Sequence, residues 1–229
     1  MTMQRRTRTW GLRAGVVIAA MVGGASSAAA IEAGQLDDFE SGMAGWDWSF
    51  TTGNGPAGPS DMCLEVSGRV RLVTTNLSQW SGDYRRARVG AIRVAIQNAS
   101  GNTLPIRIAL SDGDVPQKDL NATWYSTQKV DVPSGGWGVY EFSLDPADLE
   151  LVQGALTPEQ VLADVERIRF VQAETPAAIG DFGSGPVRFD DIEAVSIPGA
   201  VPAVGGAGVA ALAGALAAIG VRLAGRRRS

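Results

Sequence analysis

Between Leu36 and Val195 the chain is written in short runs of alternating apolar and polar residues, each broken by Gly, Pro, Asn or Asp. Successive side chains of a strand point to opposite faces, so period-two alternation marks strands with one face buried. Ile106, Ile108 and Leu110 share one face of such a run, with Arg107 and Ala109 on the other. The pattern predicts strands near residues 36–40, 46–50, 62–66, 70–74, 91–96, 105–110, 123–132, 138–144, 168–172 and 187–195. Thr157-Pro158-Glu159-Gln160 breaks it with an N-cap Thr, Pro at the first helical position and Gln at N3, which predicts a short helix over 158–165. Residues 145–152 are read as a further helical turn. Ten strands and one short crossover helix imply an all-β fold, a two-sheet β-sandwich, because parallel βαβ units would need repeated helices. Gly/Pro-rich stretches at 51–60 and 175–186 read as surface loops.

The two ends read differently from this body. Residues 1–30 carry Arg5, Arg6, Arg8 and Arg13, then a short apolar core, then Ala28-Ala29-Ala30, an A-x-A cleavage signal for signal peptidase. The body spans 31–195. Residues 196–229 begin with Ile197, Pro198 and Pro202, continue as an uncharged apolar run over about 203–221, and close on Arg226, Arg227 and Arg228. That run is just long enough for a transmembrane helix, and the terminal arginines favour a cytoplasmic C-terminus with an extracytoplasmic body. Ala and Gly dilute it, so its strong apolar residues at about −0.3 to −0.6 kcal/mol each make a weak permanent anchor.

Charge and composition narrow the function. All 24 acidic residues lie between Glu32 and Glu193, while eight of the 20 basic ones sit in the two ends. The body thus holds twice as many acids as bases, a poor match for nucleic acid. There is no histidine, which excludes Ser-His-Asp and Cys-His chemistry and His-ligated zinc. Cys63 is the only cysteine and lies in an alternating run, as a small buried residue does. No pair of carboxylates is set apart as catalytic, and the chain is read as a non-enzyme.

Acidic clusters mark both ends of the body, Asp37-Asp38-Phe39-Glu40 and Asp190-Asp191-Ile192-Glu193. If the first and last strands pair, Asp38 and Glu40 share a face that Asp190 can meet, with Asp61 beyond the first Gly/Pro loop. Clustered carboxylates suit a structural Ca²⁺ or stand as solvated acids, and both readings stay open. Asp38-Phe39-Glu40 with Gly45-Trp46, and the closing Phe189-Asp190-Asp191-Ile192-Glu193, resemble the ends of galactose-binding-like β-jelly-rolls, a group that includes carbohydrate-binding modules and laminin-B-like domains. The resemblance implies a jelly-roll over roughly 36–195 and calcium at Asp38, Glu40 and Asp190. For a sugar, the candidates are Trp80, Tyr84, Arg107 and Trp124, since sugar C–H faces stack on aromatic rings; packing in the core is the alternative for each aromatic. The tail's layout of Pro motif, weak span and Arg cluster resembles bacterial PEP-CTERM-type sorting signals, although Ile197–Pro202 replaces Pro-Glu-Pro. That resemblance implies an exosortase-type protease as partner and a place at the cell surface or in the extracellular matrix, beside extracellular polysaccharide. The combined expectation is a secreted, non-catalytic β-sandwich that binds carbohydrate, or a calcium-stabilised adhesive domain without a sugar site.

Overall fold

The computed structural model describes residues 30–67, 71–112, 122–183 and 185–197. Two antiparallel sheets face each other. The first contains β1 (Leu36–Asp37), β3 (Phe50–Thr52), β4 (Cys63–Val66), β6 (Val89–Asn98), β10 (Trp137–Ser143) and β13 (Val187–Ser196). Its order is β10-β6-β13-β4-β3, with β1 also paired to β13. The second contains β2 (Trp46–Asp47), β5 (Val73–Asn76), β7 (Leu104–Ser111), β8 (Trp124–Thr127), β9 (Val130–Val132), β11 (Leu149–Gln153) and β12 (Arg167–Gln172). Its order is β11-β8-β7-β12-β5-β2, with β9 on β7. The all-β, two-sheet expectation holds.

Several boundaries differ from the sequence reading, each for a local reason. Residues 46–50 form two strands in different sheets, because Trp48 adopts φ 65° and turns the chain from one sheet to the other. The run 123–132 is likewise divided at Gln128–Lys129 into β8 and β9. Residues 145–152 make one 3-10 turn, Pro146–Asp148, and then strand β11 rather than a helix. The helix after Thr157, here α2 (Pro158–Leu162), ends three residues earlier than expected but keeps its reciprocal cap between Thr157 and Gln160. A second helix, α1 (Tyr84–Ala87), was not legible: it is one turn long, capped by Asp83.

The core is an aromatic spine between the sheets. Phe170 of β12 lies 5.4 Å from Trp46, 5.9 Å from Phe142 and 5.0 Å from Phe189, ring centre to ring centre. Trp80 packs 6.1 Å from Trp46. Both indoles need an acceptor, since a buried N–H without one is costly. Asp37 supplies it: its Oδ2 accepts from Trp46 Nε1 at 2.8 Å and Trp80 Nε1 at 2.7 Å, and its Oδ1 from Gln79 Nε2 at 2.7 Å. One carboxylate on β1 of the first sheet thereby holds β2 of the second and the 79–84 segment.

Both ends of the described chain leave from one place. Ile31 donates its N–H to Ser81 O, and Ile197 donates to Arg88 O. Of the expected processing residues only Ala30 and Ile197 are among the described residues. The expected signal peptide, the span over 203–221, and Ala28, Pro198, Pro202, Arg226, Arg227 and Arg228 lie outside them. Among the described residues no helix is long and apolar enough to cross a membrane.

Replacing Asp37 by Ala strands two buried indole N–H groups. We expect a loss of about 3–5 kcal/mol in urea unfolding, with Trp80→Phe, which keeps the acceptor, costing less. A loss under about 1 kcal/mol for Asp37→Ala contradicts this role.

Candidate functional site

The first and last strands do pair, Leu36 opposite Glu193 and Asp37 opposite Ile192. Asp190 and Asp61 meet across the backbone of Gly55. A Cβ added there would sit 2.5 Å from Asp61 Oδ2 and 2.8 Å from Asp190 Oδ2, so only glycine fits. Asp61 Oδ2 accepts from Ala57 N at 2.6 Å, and Asp190 Oδ1 from Asp191 N at 2.8 Å. Asp38 lies close enough to act on Asp190 electrostatically. Glu40 is engaged on the neighbouring loop, accepting from Met62 N at 2.9 Å. A bulge after Asp190, with Asp191 at φ 47°, redirects the strand at this point.

Asp190 is only 1% exposed. Burial, followed by the charges of Asp191, Asp61 and Asp38, pushes its carboxyl from 3.8 up to about 7, against the Asp191 N–H bond that favours the ionised form. The hard oxygen donors suit Ca²⁺. Among the described residues, however, no group of three or more His, Cys, Asp or Glu is placed to hold a metal ion. Neighbouring Cys63 is buried and free, and burial raises its thiol to about 11. That leaves it protonated and unreactive at neutral pH.

The four residues expected to hold sugar are not gathered in one open site. Trp80 and Tyr84 are fully buried in the core, Trp80 on Asp37 and Tyr84 donating its hydroxyl hydrogen to Trp80 O. This corrects the sugar-stacking expectation for both: neither ring face is accessible. Arg107 and Trp124 do share the outer face of the second sheet, but both are buried. The Arg107 guanidinium is spent on the carbonyls of Ala173, Thr127 and Glu174, with Glu150 at 3.6 Å. Trp124 lies beneath the guanidinium groups of Arg167 and Arg169.

A different feature lies on the outer face of the first sheet. Register aligns five residues in one row across five strands: Trp137 opposite Gln97, Gln97 opposite Arg188, Arg188 opposite Glu65, and Glu65 opposite Phe50. Directly paired residues point to the same face. The middle three are locked edge to edge, Arg188 Nε to Glu65 Oε2 and Arg188 Nη1 to Gln97 Oε1, each at 2.8 Å. Phe50, 47% exposed, ends the row on one side. Part-exposed Trp137 ends it on the other, donating its indole N–H to Asn54 O at 3.2 Å. Four inter-strand spacings make the row about 19 Å long. The sequence candidates for sugar did not include this row, since cross-strand register is invisible without the pairing.

No protein-family model matches the chain, and no curated protein matches it. Solved structures do. An exo-β-agarase is 13% identical with a TM-score of 0.51, over 72% of this chain and 26% of that one. A family 11 carbohydrate-binding module from Clostridium thermocellum, in complex with a β-1,3-1,4-mixed-linked tetrasaccharide, is 18% identical over 72% of this chain and 97% of that one, TM-score 0.46. A Clostridium thermocellum xylanase 10B fragment with CBM22-1 and GH10 modules is 13% identical over 76% and 30%, TM-score 0.43. The likeness to the agarase is one of fold, and this chain spans about a quarter of that enzyme's length.

In calcium-free solution the raised Asp190 carboxyl holds its proton in the native state over a range where the unfolded chain has released it. That stability is complete below the ordinary value of 3.8 and is lost as pH rises through about 7. With EDTA present, wild-type stability in urea is expected to fall relative to Asp190→Asn across this window. Parallel curves for the two proteins contradict the assignment.

Proposed function

We propose that this chain is a secreted, non-catalytic β-jelly-roll that binds extracellular polysaccharide through the outer face of its first sheet. The row Trp137–Gln97–Arg188–Glu65–Phe50 carries the reading. Sugar rings offer apolar C–H faces and flanking hydroxyls, which match aromatic ends and a planar polar centre. The polar groups are held by one another before any ligand arrives, so binding loses little side-chain entropy. The length of the row suits several rings of an extended chain. The fold shared with part of an exo-β-agarase supports a polysaccharide partner as an analogy of fold. Catalysis is not favoured by the carboxylates that meet. Asp61 and Asp190 close on Gly55, whereas a glycosidase pair needs room for a sugar between its members.

Calcium is the second reading, and it serves the same surface. Loaded between Asp61 and Asp190, the two carboxylates that meet at Gly55, Ca²⁺ would replace the proton on Asp190 and fix the 53–61 loop. Asn54 of that loop receives the Trp137 indole N–H, so the ion would steady one end of the row. Calcium added to EDTA-free protein is expected to raise the melting temperature at pH 7, and an unchanged temperature removes the ion from the account. The ends of the sequence support export by signal peptidase and transient membrane tethering before exosortase-type removal of the tail. The mass of the mature protein from its native cell should then lack residues before Ile31 and after about Ile197; the full-length mass contradicts it.

Affinity electrophoresis of the full chain in gels containing neutral β-linked polysaccharides tests the binding surface. Wild type is expected to be retarded by at least one of them, and Trp137→Ala and Phe50→Ala each to lose most of that retardation while keeping their melting temperature. Loss of one stacking aromatic corresponds to about 0.5–1.5 kcal/mol beyond its buried area. Unchanged migration of wild type in every polymer, or retardation untouched by both variants, overturns the proposal.

A further inference from the structure

Beside the aromatic row, the outer face of the first sheet holds a hollow that the row does not use. Alternation along β6 sends Arg93, Ala95 and Gln97 to the same face. Val139 pairs with Ala95, and Glu141 pairs with Arg93. On the other side Arg93 pairs with Glu193, which pairs in turn with Leu36. Directly paired residues share a face, so two lines of side chains cross this sheet. One is the row through Gln97; the other runs Glu141–Arg93–Glu193–Leu36. Four residues of strand separate them, about 13 Å, and Ala95 lies midway.

The second line is fixed as the row is. Arg93 donates from Nη1 to Glu193 Oε2 at 3.1 Å and from Nη2 to Glu141 Oε2 at 3.2 Å. A lone methyl group between two lines of long side chains leaves space above it. That space is a hollow of about 400 Å³, floored by Ala95 and walled by Leu36, Val139, Arg93, Asp191 and Glu193. Asp191 reaches its rim from the bulge after Asp190, where the backbone turns through φ 47°. Val139 is 71% exposed and Leu36 52%, so the hollow is open to solvent.

The lining suits a sugar ring. Leu36, Val139 and Ala95 offer apolar contact to C–H faces, the carboxylates of Asp191 and Glu193 accept from hydroxyls, and Arg93 brings N–H donors. Clefts that hold small ligands run from about 300 Å³ upward, so this one has room for a single ring. Its floor lies about 7 Å to the side of the row, within reach of one sugar attached to a ring stacked there.

We propose that the hollow over Ala95 holds a single neutral sugar branching from the polysaccharide whose main chain lies along the Trp137–Phe50 row. This rests on the reading of the row as the main-chain site. It narrows the ligand class from β-linked polysaccharides at large to those with short side branches. The acids at the rim select against an anionic branch by like-charge repulsion.

Affinity electrophoresis of the full chain in matched gels tests this, with branched galactomannan against linear glucomannan, and branched xyloglucan against linear mixed-linked β-glucan. Wild type is expected to bind the branched member of at least one pair about threefold or more tightly, the scale of one net hydrogen bond. Val139→Ala and Asp191→Asn should each reduce that binding to the level of the linear partner. Asn tolerates the left-handed backbone at position 191, and both variants should keep their melting temperature and their retardation in the linear gel. Trp137→Ala should lose retardation in both gels of the pair. Equal retardation of wild type within each pair, or a preference that survives in both Val139→Ala and Asp191→Asn, overturns the branch site and leaves the row standing. No retardation in any gel, or retardation untouched by both Trp137→Ala and Phe50→Ala, overturns the row and the branch site with it.

Discussion

One buried carboxylate sets the frame on which both faces depend. Asp37 accepts two indole N–H bonds and one amide N–H. In doing so it ties the first strand of one sheet to the first strand of the other. Without it, Trp46 and Trp80 could not be buried with their N–H groups satisfied, and the spine through Phe170 would lose its end. A buried charge is tolerable only when its lone pairs are used, and here three donors use them. The short β1, two residues long, survives because its side chain is bonded as well as its backbone.

This frame divides the remaining chemistry between the two outer faces. The first sheet presents the row that ends in Trp137 and Phe50, with its arginine neutralised by Glu65. The second presents arginines partly roofed by the 173–182 segment, through the carbonyls of Ala173, Glu174 and Ala178. The acidic shelf of Asp61 and Asp190 lies one step along the first sheet from the row, since Asp190 faces Ala95 while Arg188 faces Gln97.

Fold class was readable because strand alternation and the Thr157 cap are local signals. The pairing of first and last strands was anticipated as a condition, since the termini of a sandwich commonly meet, and the register bears it out. Three things were not. Trp48 turns the chain between sheets through a left-handed backbone, which its residue type does not announce. Trp80 and Tyr84 looked like a polar-loop binding pair, but the acceptor that buries Trp80, Asp37, is 43 residues away. Arg107 was placed correctly on its strand face, yet its donors are consumed by backbone carbonyls of a distant loop. Long-range partners decide whether an aromatic or an arginine is available to a ligand, and composition carries none of that information.

The account's central claim is that neutral polysaccharide is read by the first sheet and not by the second. Side-chain NMR of the full chain titrated with neutral β-linked oligosaccharides tests it most directly. The Trp137 indole and Gln97 amide signals are predicted to move in a saturable way while the Trp124 indole stays fixed. Movement of the Trp124 indole with Trp137 and Gln97 unaffected would place recognition on the other face and contradict the account.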